Sequence, residues 1–169
     1  MEHIPQKNKK GKHLSIVFLV IACVGLVGAS VLDIRYRLFY QLTALLVYAF
    51  SFEILNRYYF TTYIYTVTLD DRDFIITKRT GKRSQMVCNL ALSTMLAIER
   101  KPKNKQERIA LTQRFGKSGI HYNYCQSLAP KSPYVILFEF NGRVAEIVFE
   151  PNEAMVCHLR EILHKRNEI

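Results

Sequence analysis

The side chains of this 169-residue sequence that are richest in chemistry are its four cysteines, five histidines and fourteen carboxylates. His121 and Cys125 lie four apart, on one face of a presumed strand, and Cys157 and His158 are neighbours. A zinc centre needs three or four converging ligands, and no such spacing occurs. A cysteine–histidine nucleophile would need distant residues to meet, and nothing in the pattern brings them together. The carboxylates gather only at Asp70, Asp71 and Asp73, where they read as turn formers rather than acid–base catalysts. Glycine patterns for nucleotide phosphates are missing. The expectation is a protein that is not an enzyme and holds no metal or cofactor.

Positive charge is the second chemical feature. The formal net charge is +10, which points to anionic lipid, nucleic acid or an acidic protein as neighbour. Lys78, Arg79, Lys82 and Arg83 form one cluster. Arg100, Lys101, Lys103, Lys105, Arg108, Arg114 and Lys117 form another, opposed only by Glu99 and Glu107. The candidate contacts for anionic lipid headgroups or an acidic partner are Lys78, Arg79, Lys82, Arg83, Lys101, Lys103 and Lys105. The bland alternative is a solvated charge run that keeps the domain soluble. Tyr122 and Tyr124 offer rings on which bases stack, yet no nucleic-acid motif accompanies them, and no nucleic-acid partner is expected.

What positions these residues begins with the apolar front end. Residues 14–32 contain no charge, and nineteen helical residues cover roughly 28 Å, close to the ~30 Å core of a bilayer. Residues 38–54 form a second apolar run, with Gln41 and Glu53 in it and Tyr36, Tyr40, Tyr58 and Tyr59 near its ends, where such rings favour the interface. Glu53 sits at the edge of this span and reads as snorkelling rather than as part of an ion path. The connection Asp33-Ile34-Arg35-Tyr36-Arg37 allows only a tight hairpin. Lys7, Lys9, Lys10 and Lys12 outweigh the loop's charges, so both termini are expected in the cytoplasm. The rival reading is a cleaved signal peptide with a processing site near Val27-Gly28-Ala29. Gly25 and Ala29 have small-xxx-small spacing, which suits packing within the hairpin, against Ala44 or Ala49, or a homo-oligomer. The scattered cysteines suit a reducing compartment.

Three segments follow: a disordered basic N-terminus over 1–12, a two-span hairpin over 13–57, and a single cytosolic domain over 60–169. In the last, alternation predicts strands over 62–69, 74–79, 84–90 and 94–100. Tyr63, Tyr65, Val67 and Leu69 share one face of the first. A long basic segment covers 101–118. Residues 119–126 alternate and make the fifth strand, with 108–115 competing for that place. Residues 134–140 and 143–150 flank Asn141-Gly142, the strongest short hairpin signal. Tyr134, Ile136, Phe138 and Phe140 are expected on one buried face. Pro151 opens a helix whose Met155, Leu159, Ile162 and Leu163 make one apolar stripe.

This order resembles the bacterial pleckstrin-homology-like membrane proteins. The residues that carry the resemblance are Tyr65-Thr66-Val67-Thr68 leading into Asp73-Phe74-Ile75-Ile76-Thr77-Lys78-Arg79-Thr80-Gly81, Asn89-Leu90-Ala91-Leu92 leading into Leu96-Ala97-Ile98-Glu99, then Arg114-Phe115-Gly116, and Phe149-Glu150-Pro151 before the final helix. The resemblance implies a membrane α-hairpin plus an α+β domain: a seven-stranded, partly open PH-like β-barrel capped by a C-terminal helix. It implies no enzyme activity and leaves the ligand open. Phosphoinositide-binding members of the wider fold often carry lysines and arginines at the first hairpin turn. Here that turn is Asp70-Asp71-Arg72-Asp73, which would repel a phosphorylated headgroup. The expectation is therefore a membrane-anchored, non-catalytic binding or scaffold protein. The alternative is a subunit of a larger membrane assembly that acts through its hairpin.

Overall fold

The computed structural model describes residues 1–5, 9–31 and 37–167. Lys7 and residues 33–36 of the hairpin connection lie outside the described residues. The chain divides into two compact units, one formed by Gln6–Thr61 and the other by Met1–Pro5 together with Thr62–Ile169.

In the first unit, helices α1 (Lys9–Val31) and α2 (Arg37–Tyr59) pack on each other. Each has a stretch long and apolar enough to cross a membrane, Lys12–Val31 and Leu38–Tyr59. Only 17% and 6% of their most apolar windows are buried, whereas the core helix of a water-soluble fold is mostly buried. Hydroxyls along them are satisfied within the helices: Ser30 donates to the Leu26 carbonyl, Thr43 to Phe39 and Ser51 to Val47. That suits a solvent without hydrogen-bond partners. Ala22 and Ala29 are buried, and a methyl group built on Gly25 would meet the Ala44 side chain at 3.9 Å. The small-residue side of α1 is thus used against α2.

The second unit holds eight strands among the described residues, not seven. They form two open four-stranded sheets rather than the expected barrel. The first sheet has the order β1 (Glu2–His3), β2 (Thr61–Val67), β3 (Asp73–Thr80), β4 (Arg83–Ala91). The extra strand is β1, from the segment read as an unstructured tail. Glu2 lies opposite Thr66 and His3 opposite Tyr65. The second sheet has the order β5 (Met95–Arg100), β7 (Tyr134–Phe140), β8 (Arg143–Phe149), β6 (Ile120–Asn123). Helix α3 (Lys105–Phe115) precedes β6, and α4 (Glu153–Asn167) closes the chain.

Two departures share a cause. The 101–118 segment is a helix over most of its length, not a loop or a strand. The strand that follows, β6, is shorter than the expected 119–126 and runs parallel to β8, with Ile120 opposite Ala145 and Asn123 opposite Val148. β5 and β6 run the same way at opposite edges of the sheet, and the chain crosses from one edge to the other through α3, which sets β6 parallel to β8.

The core lies between the sheets and α4. Tyr65 and Val67 of β2, Phe74 and Ile76 of β3, Ile136 of β7 and Ile147 and Phe149 of β8 are essentially inaccessible, as are Met155 and Leu159 of α4. Phe149 meets Tyr65 edge-on at 5.4 Å and Phe74 at 5.2 Å, joining the two sheets. Leu69, expected to continue the face of Tyr63, Tyr65 and Val67, is fully exposed because the strand ends at Val67 and the turn begins. Phe140, expected inside, is 45% exposed at the last residue of β7. That strand buries both faces, since Val135 and Leu137 join a second cluster with Ala97, Cys125 and Val148.

Asn141 and Gly142 both take positive φ (52° and 71°), the geometry for which an Asn-Gly hairpin turn is selected. Pro151 precedes α4 instead of opening it. Asn152 supplies the cap, its side-chain oxygen accepting from the Met155 N–H at 2.9 Å.

Candidate functional site

The β3–β4 turn carries the first basic cluster. Thr80 lies opposite Arg83, Arg79 opposite Ser84 and Lys78 opposite Gln85, with Gly81 at φ 59° making the reversal. Side chains alternate across a strand, so Lys78 and Arg83 belong to one face, Arg79 to the other, and Lys82 to the tip. Arg79, Lys82 and Arg83 are exposed. The β2–β3 hairpin closes where the Thr68 N–H donates to the Asp73 carbonyl at 3.0 Å. Counting back along β2 and forward along β3 from that closure brings Thr80 level with Thr61. The basic turn therefore lies at the strand end where the chain arrives from α2.

The other end of that hairpin is the acidic turn, and two of its carboxylates, those of Asp70 and Asp71, are engaged within the domain. The Thr68 hydroxyl accepts from the N–H groups of Arg72 and Asp73. Asp70 pairs with Arg72 at 3.2 Å, and a hydrogen bond from Thr68 is the main reason its carboxyl titrates below the usual range. Asp71 reaches α4, where its Oδ1 lies 2.9 Å from His158 Nε2.

The second basic group splits in two. Arg100, Lys101 and Lys103 meet Lys131 around a concavity of about 480 Å³, walled by prolines. The Lys101 N–H donates to the Pro133 carbonyl at 2.9 Å and ties the two loops together. Lys131 was not anticipated. Its only sequence signal is its place between Pro130 and Pro133, which bracket the loop. Lys101 and Lys105 line a neighbouring groove of about 420 Å³ beside α3, in company with Arg108 and Lys117. None of Lys78, Arg79, Lys82 and Arg83 lines either concavity. The ion pairs Arg72–Asp70, Arg114–Glu99, His121–Glu146 and His158–Asp71 use none of the seven candidate cations.

Helix α3 is placed by a reciprocal cap. The Asn104 side-chain oxygen accepts from the Glu107 N–H at 2.9 Å, and Glu107 accepts in return from the Lys103 N–H at 2.8 Å. This is a variant of the capping box in which the return bond goes to the residue before the cap, and the Asn-x-x-Glu spacing was the available signal for the helix. At the other end Gly116, at φ 90°, lets the chain turn under the helix, with its N–H donating to the Thr112 carbonyl.

His121 and Cys125 part company. His121 is half exposed and paired with Glu146, whereas Cys125 is buried in the second cluster. Among the described residues no three His, Cys, Asp or Glu side chains are grouped so as to hold a metal ion. Burial holds the Cys88 thiol up at about 11, far from a reactive thiolate at neutral pH.

A family model described as a bacterial PH-like domain, DUF6106, matches residues 1–167. The chain belongs to this family. The DUF6106 match takes in the apolar hairpin as well as the two sheets and α4. A comparison with curated proteins finds no match.

Proposed function

We propose that this DUF6106 protein is a membrane-anchored, non-catalytic binding or scaffold module that holds a basic PH-like domain at the cytosolic face of the membrane. The observation that carries the reading is β1. A strand pair cannot form across a bilayer, so pairing of Glu2–His3 with β2 favours an even number of crossings between them. It also speaks for retention of the N-terminal segment rather than its removal as a signal peptide. The lysines before α1, set against the loop of residues 33–37, favour the cytosolic side for both ends.

In this reading the basic turn contacts anionic headgroups, because it sits level with Thr61, one residue beyond the chain's exit from α2 at Phe60. Each such cation contributes about 1 kcal/mol near an anionic surface. The spans already secure attachment, so this attraction sets the domain's orientation. The acidic turn lies a full strand away, roughly 23 Å for seven residues. That is well beyond a Debye length of about 8 Å.

Hydrogen exchange of the full-length protein in lipid nanodiscs tests this. Amides of residues 80–83 should exchange several-fold more slowly in discs with anionic lipid than in zwitterionic ones. Reversing Lys78, Arg79, Lys82 and Arg83 to Glu should remove the difference, as should several hundred millimolar salt, whereas Asp70→Lys should leave it. Equal exchange in both discs at low salt would end the lipid-facing role and leave an acidic protein as the partner to seek.

Topology has its own test. In a background without the native cysteines, Glu2→Cys and Lys131→Cys should both resist an impermeant thiol reagent in intact cells and react after lysis. Labelling of either before lysis would refute the cytosolic assignment.

A second reading, a subunit acting through its hairpin, draws on one observation. A methyl group built on Gly28 would meet nothing within 4 Å, leaving room on α1 for another helix. Gly25 and Ala29, the contacts expected for a second copy, are taken up within the hairpin, so a second copy would meet α1 at Gly28. Replacing the hairpin with an unrelated pair of spans separates the readings, since function survives only in the first.

A further inference from the structure

We infer that the groove between α3 and the second sheet is a binding site for a single-chain anionic amphiphile, an acyl chain ending in a carboxylate or phosphate. The inference rests on reading the domain as a binding module, but not on the basic turn.

The groove exists because α3 is too polar to seal the sheet. None of its eleven residues is buried, and only Leu111 and Phe115, one turn apart, pack on the second core cluster. Ile109 remains 47% exposed beside them. The space left is about 420 Å³, the size of an ordinary ligand pocket, and Val135 and Leu137 of β7 back it. Around this apolar floor stand four cations, Lys101, Lys105, Arg108 and Lys117. The one carboxylate in the lining, Glu146, is held by His121 Nδ1. An apolar floor with an unopposed cationic rim is complementary to a molecule that is apolar along its length and negative at one end.

An acidic peptide fits less well. Peptides that bind beside a sheet usually add to a free strand edge. Here β7 is paired on both sides, by β5 and β8, and has no edge to offer. An alkyl chain needs no backbone partners.

The test uses the full-length protein in zwitterionic nanodiscs and a myristic acid probe with a mid-chain diazirine. After irradiation, adducts should appear on the peptides containing Leu111 and Leu137. They should fall at least tenfold with excess unlabelled myristate, and equally in a Lys105→Glu/Arg108→Glu/Lys117→Glu variant. Competition by lysophosphatidate against myristate tells whether phosphate or carboxylate is the preferred head. The matching uncharged tetradecanol probe should label these peptides several-fold less, a comparison made on the wild-type protein and independent of any variant's folding. Adducts confined to residues 14–54, equal labelling by the alcohol, or labelling that survives charge reversal would each overturn the proposal. Exchange at residues 80–83 reads the lipid-facing turn and labelling at α3 reads the groove, so either can fail while the other stands.

Discussion

Full-length protein carrying Ile136→Asp is expected to yield no folded domain. Ile136 is inaccessible, sits at the middle of β7, and lies opposite Ile98 on one side and Ile147 on the other. An ionised carboxylate placed there has no partner, and burying an unpaired charge costs several kcal/mol. The whole stability of a small domain is about 5–15 kcal/mol. Limited proteolysis of purified membranes should cut residues 62–167 rapidly in this variant and slowly in the wild type. Phe140→Asp is the matched control. Its position is half exposed at the strand's end, so the change should cost only about 1–1.5 kcal/mol and leave the domain folded. A protease-resistant Ile136→Asp protein would mean that the two sheets do not pack as described.

The second large effect is expected from removing one oxygen. The Tyr65 hydroxyl donates to the Tyr124 carbonyl at 2.9 Å and accepts from the Glu150 N–H at 3.3 Å, so it ties β2 to both flanks of β6 and β8. Burial raises its pKa, and the phenol stays protonated and able to donate at any physiological pH. Tyr65→Phe keeps the ring against Phe149 but strands a backbone carbonyl and an N–H, at about 1–3 kcal/mol for each group left unsatisfied. For a domain of about a hundred residues each kcal/mol lowers the melting temperature by about 4–8 °C. A fall of more than about 5 °C is therefore expected by scanning calorimetry. Tyr122→Phe, at a 37% exposed position, should melt with the wild type. Identical melting of Tyr65→Phe would remove the hydroxyl from the account of how the sheets are joined.

Legibility in the sequence followed the strength of local signals. The strands β2 to β5, β7 and β8 announced themselves by alternation, because each has one face in the main core. The Asn141-Gly142 turn was readable because few other pairs tolerate two successive positive φ angles. The stripe of α4 was readable because Met155 and Leu159 recur at helical spacing, whereas Val156, equally buried beside Met155, was not singled out. Helix α3 was hidden for the opposite reason. It buries no residue and so has no apolar period to detect, leaving only the Asn104–Glu107 cap as a sign. Two residues cannot show a period at all, so β1 left no trace. The parallel pairing of β6 was beyond reach, since alternation reports a strand and not its direction. The candidate cations were visible as clusters, but their division among a turn, a proline-walled concavity and a groove depends on contacts that sequence order does not contain.

The strand β1 also bears on how the protein is made. Met1–Pro5 is synthesised well before its partner β2, which begins at Thr61, after both apolar helices. Until the spans are placed, β2 has an unpaired edge where β1 belongs, and an exposed edge is a template for aggregation. A chain whose spans insert with their ends on opposite faces can never bring β1 to that edge. On the two-crossing reading proposed above, the first sheet can therefore close only in molecules whose ends lie on the same face, and the others keep an open edge.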